Sequence, residues 1–268
     1  MGMKNFNGKV VWITGASSGI GEALASQFSK LGAKLILSSR RKEALENVAL
    51  KCELSEENKL ILPIDLSEYK DYQPTVNKVI EKFGKIDILI NNGGISQRSR
   101  FEETDLHVFK KVVDVNFMGT VALTKAVLPV MKKHKSGHIV AISSVVGKFG
   151  TPLRTAYSAS KHALQGFFDA LRAEVYADGI KVTLVCPGYV KTNISLNAVM
   201  GDGSKQGKMD AGQASGISPE DCAKSIIKAI QQNKREIYPA GLKELSGVYM
   251  KRFFPGIFSK MVRKINVR

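Results

Sequence analysis

The sequence predicts a single doubly wound α/β domain, a parallel seven-stranded sheet with helices on both faces. Short runs rich in Val, Ile and Leu recur along the chain with helix-length amphipathic segments between them, the alternation that buries a parallel sheet on both sides. The first such run ends in a cluster of glycines that opens a helix, a ready-made site for phosphate. A length of 268 residues and 44% hydrophobic content suffice for one sizeable core.

In chain order, residues 9–14 read as a buried strand and 20–31 as an apolar-periodic helix. Further strands are predicted at 33–38, 59–64, 85–90, 137–143 and 180–186. Between 193 and 216 the pattern stops and Gly, Ser, Lys, Asp and Gln dominate, with Met200 and Met209 interspersed, so this segment is expected to be a mobile lid over a pocket. Ser218 as N-cap, Pro219 at the first helical position and Glu220 and Asp221 in the first turn start another helix. A last strand at 236–238 precedes a basic amphipathic extension at 243–268. There Leu245, Val248, Tyr249, Phe253, Phe254, Ile257, Phe258, Met261, Val262 and Ile265 mostly recur every three to four residues, with Lys251, Arg252, Lys260, Arg263, Lys264 and Arg268 between them. Pro255-Gly256 interrupts this helix. With no internal repeat and no second core, residues 1–268 are assigned to one domain.

Composition narrows the function. No stretch approaches the ~20 uninterrupted apolar residues of a membrane span, and residues 1–8 contain no apolar signal core, so a cytoplasmic location is expected. Cys52, Cys186 and Cys222 are too scattered for a disulfide framework, and none has metal-ligand spacing with a histidine, so reduced thiols and no metal are expected. The net charge of +16 favours a polyanionic contact. Nucleic acid is not expected, because no recognition motif accompanies the charge. The basic tail predicts either packing on the core or on a second subunit, or peripheral contact with a membrane surface.

Two constellations carry chemistry. Gly15, Gly19 and Gly21 follow a strand and open a helix, where a glycine turn lets backbone amides approach a pyrophosphate. Tyr157 and Lys161 lie one turn apart on a helix, and an ammonium there favours the phenolate of a side chain whose reference pKa is about 10. A hydride-transfer enzyme is the expectation.

The Gly-x-x-x-Gly-x-Gly turn, Asn91-Asn92-Gly93-Gly94, Ser143-Ser144, Tyr157-Ser158-Ala159-Ser160-Lys161 and Pro187-Gly188 stand in this order at successive strand ends and resemble the short-chain dehydrogenase/reductases over residues 6–240. The likeness extends to membrane-associated steroid and retinoid reductases, some of which share Gly93 where the family usually has alanine. It implies a Rossmann-type domain with a catalytic set of Asn116, Ser144, Tyr157 and Lys161. In that resemblance Tyr157 exchanges the proton, Lys161 lowers its pKa and binds the nicotinamide ribose, Ser144 holds the substrate oxygen, and Asn116 positions a water linking Lys161 to solvent. Implied cofactor contacts are Gly15, Ser17, Ser18, Gly19, Ile20, Gly21, Asp65, Leu66, Asn92, Gly93, Gly94, Pro187, Gly188, Val190 and Thr192. Where NAD-binding members carry an acid after the second strand, this chain has Ser39 followed by Arg40 and Arg41, which predicts NADP.

Segments 96–101, 145–155 and 189–216 are expected to wall the substrate pocket, with Phe149, Leu153, Tyr189, Leu196 and Met200 giving it a mainly apolar lining for a lipophilic carbonyl or alcohol. The family also implies a homo-oligomer, dimer or tetramer, through helices at about 105–133 and 155–177. Two other functions compete. A 3-oxoacyl-[acyl-carrier-protein] reductase would gather Lys110, Lys111, Lys132 and Lys133 beside the pocket mouth, and a non-catalytic NADP-binding scaffold would lack catalytic residues that this chain has.

Overall fold

A computed structural model describes residues 5–69 and 71–265. Residues 1–4 of the expected N-terminal segment and Arg268 of the basic tail lie outside the described residues. Strands β1 (Val10–Thr14), β2 (Lys34–Ser38), β3 (Lys59–Ile61), β4 (Ile88–Asn91), β5 (Gly137–Ile142), β6 (Ile180–Val185) and β7 (Glu236–Ile237) form one sheet in the order β3-β2-β1-β4-β5-β6-β7. Every neighbouring pair is parallel. The order reverses between β1 and β4, and such a switch point opens a crevice at the carboxyl ends of the strands.

Helices α1 (Gly19–Lys30), α2 (Lys42–Lys51), α3 (Gln73–Phe83), α4 (Leu106–Val113), α5 (Gly119–Lys133), α6 (Thr155–Glu174), α7 (Ala211–Ala214), α8 (Pro219–Gln231), α9 (Leu242–Phe253) and α10 (Pro255–Val262) surround the sheet. The pleat sends successive side chains to opposite faces. Val11, Ile13, Leu35 and Leu37 therefore pack with α1, α2 and α8, while Val10, Trp12 and Ile36 pack with α3, α5 and α6. The strands are apolar on both faces, which is why they read as continuous hydrophobic runs. Ser218 caps α8 as expected, its hydroxyl accepting from the Asp221 amide at 3.0 Å.

Two local expectations are modified. The strand predicted at 59–64 is regular only to Ile61, because Pro63 interrupts the ladder although the Leu62 and Ile64 amides still reach the Leu37 and Ser39 carbonyls at 3.0 Å. The expected mobile lid at 193–216 is a folded flap. Its Val199 amide donates to Ser96 at 2.8 Å, its Val199 carbonyl accepts from Arg98 at 2.9 Å, and Ser195, Ala198 and Asp210 are buried. The helix expected at about 105–133 is present, α4 and α5 joining through a π turn, Asp114–Met118, into one continuous helix. That helix, Leu106–Lys133, has 28 residues and a mean hydropathy of 1.3 over its most apolar stretch, enough by length and composition to cross a membrane. Its Val108, Val112, Leu123, Val127 and Met131 are spent on the protein core.

Candidate active site

The turn after β1 is shaped by what its glycines lack. Gly15 and Gly19 adopt φ of +62° and +59°, a left-handed conformation that side chains resist. A Cβ on Gly21 would lie 2.2 Å from the Gly15 carbonyl oxygen, so the turn closes only without one. Asn92 braces it, its Nδ2 donating to the Thr14 and Gly15 carbonyls at 3.0 and 3.2 Å. Ser18 is the N-cap of α1, yet its side chain makes no capping hydrogen bond. The first amides of α1 are thus left for a ligand, and such a helix end attracts phosphate. This cradle fits a dinucleotide pyrophosphate, with Ser17 and Ile20 beside it and Thr192 across it, since a Cβ on Gly19 would meet Thr192 Cγ2 at 2.8 Å. Gly93 is explained as well: a Cβ there would come within 2.5 Å of Leu66 Cδ1, so Leu66 fills the space of the missing methyl.

The carboxyl ends of β4, β5 and β6 bring the remaining predicted residues to one cavity of about 730 Å³, within the usual range for a small-molecule site. Ile20, Asn92, Gly94, Ser144, Tyr157, Lys161, Pro187, Gly188, Val190 and Thr192 line it. Gly15, Gly19 and Gly21 form the turn itself, and Gly93 stands against Gly15. Ser39, Arg40, Arg41 and Asp65 lie away from the cavity, at the end of the crevice beyond β2. Burial opposes ionisation of Asp65, but hydrogen bonds from Ser67 and the Arg40 charge together hold its carboxyl below the usual range.

Asn116 occupies the π turn and is fully buried. Its Oδ1 accepts from the Ile95 amide at 2.8 Å, and its Nδ2 donates to the Ile95 carbonyl at 2.9 Å and to Ser160 Oγ at 3.0 Å. The side chain ties α6 to the segment after β4, and it does not line the cavity. Ser144 Oγ donates to the Pro187 carbonyl at 3.3 Å and accepts from the Val146 amide at 3.3 Å. Lys161 Nζ donates to the Ile142 carbonyl at 2.8 Å and lies 5.7 Å from the Tyr157 ring centroid. Burial pushes the Lys161 ammonium down to about 8.

Tyr157 is buried as well. Burial raises its phenol above the ordinary value, and the groups opposing that rise are Arg154, the Ser144 hydroxyl and Arg98.

Two arginines on the cavity wall were not anticipated. Arg98, 1% exposed, donates from Nε to Asp210 Oδ2 at 2.9 Å, pairs with the same carboxylate through Nη2, and reaches Ser96 Oγ and the Gln97 carbonyl through Nη1 at 2.7 and 2.6 Å. Arg154 approaches Asp210 Oδ2 at 3.5 Å. The residues of this cluster are far apart in sequence, and only the flap, folded down, joins them. Helices α9 and α10 are a second surprise. Lys243, Gly247, Met250, Phe258 and Met261 line the cavity, and Phe258 packs against Phe149 with ring centroids 5.2 Å apart. The apolar periodicity of the tail signalled a packed face, but gave no sign that this face closes the site.

A doubly wound sheet with a glycine turn at its switch point, opening onto a buried Tyr–Lys helix, defines a nicotinamide-dependent oxidoreductase. The comparisons agree: a family profile described as short chain dehydrogenase matches residues 9–201, and the chain belongs to that family. It is 48% identical over 97% of its length to a dehydrogenase/reductase SDR family protein 7-like of Anopheles gambiae, of which it covers 84%. It is 45% identical over 93% of its length to the dehydrogenase/reductase SDR family member 7B of Xenopus tropicalis, of which it covers 82%. Among solved structures, a short chain dehydrogenase/reductase from Burkholderia phymatum in complex with NAD superposes with TM-score 0.82 at 25% identity, covering 99% of this chain and 98% of the other. A metagenomic short-chain oxidoreductase in complex with NADP gives TM-score 0.73 at 27% identity, over 88% and 98% of the two chains.

Proposed function

We propose that the chain is an NADP(H)-dependent oxidoreductase that interconverts a carbonyl and an alcohol on a lipophilic substrate, with Tyr157 as the acid/base. The observation that carries this reading is the convergence of Tyr157, Ser144 and Lys161 on a cavity that also exposes the dinucleotide groove at Asn92 and Gly94. When bound, the nicotinamide supplies or accepts the hydride. Tyr157, a phenol protonated at neutral pH and raised further by burial, donates a proton to the carbonyl oxygen. Ser144 holds that oxygen, and Lys161 and Asn116 keep α6 in place. A carbonyl panel of steroid, retinal, quinone and acyl thioester compounds tests the reading by NADPH consumption, and no turnover with any of them would reject it.

NADP rather than NAD is supported by Ser39 and Arg40 at the end of β2, with no carboxylate there for ribose hydroxyls. Ser39→Asp with Arg40→Leu is expected to move the ratio of kcat/KM for NADPH over NADH toward NADH, and a wild type that already prefers NADH would overturn the assignment. The carrier-protein reductase reading is not favoured: none of Lys110, Lys111, Lys132 and Lys133 lines the cavity, and Lys110 and Lys132 are paired with Asp114 and Asp178. The scaffold reading is disfavoured by the presence of all four catalytic candidates. We place the enzyme in the cytoplasm as a homo-oligomer through α4–α5 and α6, touching membrane surfaces with the outer side of α9 and α10.

A further inference from the structure

Charge in the cavity wall does not balance. Arg98 commits its guanidinium to Asp210, Ser96 and the Gln97 carbonyl, and Asp210 Oδ2 already takes both of its Nε and Nη2 donors. Arg154 has only a 3.5 Å contact to that same saturated oxygen. The residue is 6% exposed, and its Nε is buried with no hydrogen-bond partner among the described residues. Thr151 Oγ1, another group of the cavity wall, is likewise buried without a partner. The Arg154 guanidinium lies over the Tyr189 ring, 5.6 Å from its centroid, which fixes the plane of its donor fork.

Two cations thus share one carboxylate in a place where an uncompensated charge is costly. Among the described lining groups Lys161, Lys243 and Lys264 add positive charge, and only Glu244 is acidic. Glu244 Oε2 is turned toward Gly241 on the tail, 2.7 Å from where its Cβ would stand. A neutral Tyr157 phenol supplies no counter-charge.

We propose that Arg154, with Thr151 beside it, is an anion subsite of the substrate cavity, and that the substrate is a lipophilic carbonyl or alcohol compound bearing a carboxylate or a phosphate. A planar guanidinium accepts either oxyanion through paired N–H donors. The inference rests on the substrate cavity described under the proposed function, but its test needs no turnover.

Titration calorimetry of the protein, with and without NADPH, against decanoate, decyl phosphate, methyl decanoate and decanol compares equal chains with and without charge. At least one of the two anions is expected to bind about tenfold tighter than the neutral ligands, and the tighter anion identifies the source. Arg154→Gln should abolish that preference, leaving the affinity for decanol within a factor of about three, while Arg154→Lys keeps part of it. Should Arg154→Gln fail to fold, the wild-type comparison and Arg154→Lys still decide. Equal affinity of wild type for charged and neutral ligands, or an undiminished anion preference in Arg154→Gln, overturns the proposal. Failure of every carbonyl compound to consume NADPH would instead reject the proposed reaction and leave the anion subsite standing or falling on the calorimetry alone.

Discussion

At the residue scale the proposed chemistry depends on the transferable proton of the Tyr157 phenol. Tyr157→Phe retains the ring that packs against Val108, Val112 and Phe149 but removes the transferable proton. Turnover is expected to fall by about 10²–10⁴, with NADPH affinity measured by fluorescence titration unchanged. Near-normal turnover would remove Tyr157 from the mechanism. Spacing made Tyr157 and Lys161 legible in the sequence, since a helical turn is a local rule. Arg98, Arg154 and Asp210 were illegible for the opposite reason: nothing local distinguishes a buried arginine from a solvated one, and their meeting depends on how the flap folds.

At the element scale, the strands were readable because parallel strands buried on both faces are continuous apolar runs, and their ends moved by a few residues where Pro63 or a side chain interrupted the ladder. One polar group inside this sheet has a measurable consequence. His138 on β5 is buried, shares a hydrogen bond of 2.8 Å with Thr183 Oγ1 on β6, and is pushed down to about 4 chiefly by that burial. An unfolded histidine titrates near 6.5, so between about 6.5 and 4 the unfolded chain binds a proton that the folded one refuses. Stability from this group is complete above 6.5 and declines as pH falls through that window, by up to about 1.4 kcal/mol per pH unit. Urea midpoints of wild type and His138→Asn should therefore converge as pH drops from 7 to 4.5, and parallel curves would contradict the assignment.

Over the whole molecule, the tail resolves into two sides. Phe258 is buried, while Tyr249, Phe253, Phe254 and Ile257 remain more than half exposed at 56%, 67%, 58% and 56% among Lys251, Arg252 and Lys260. The sequence offered packing and membrane contact as alternatives, because periodicity defines an apolar stripe without saying how wide its covered part is. Phe258→Ala is expected to cost ~3–5 kcal/mol, seen as a lowered melting temperature. Phe253→Ser with Phe254→Ser should leave melting unchanged and weaken co-sedimentation with anionic vesicles, each lost basic or apolar contact being worth about 1 kcal/mol or more. Equal melting losses in both variants would count against a membrane-facing side. For the oligomer, light scattering in detergent-free buffer should return a multiple of the 29.3 kDa chain mass, and a monomer at micromolar concentration would reject it. One consequence reaches past these measurements. The proposed reacting groups come from the middle of the chain, whereas one wall of the chamber comes from its last helices. Part of what decides acceptance is therefore written apart from the proposed chemistry, so substitutions after residue 241 can drift toward a new appetite while Ser144, Tyr157 and Lys161 are inherited intact.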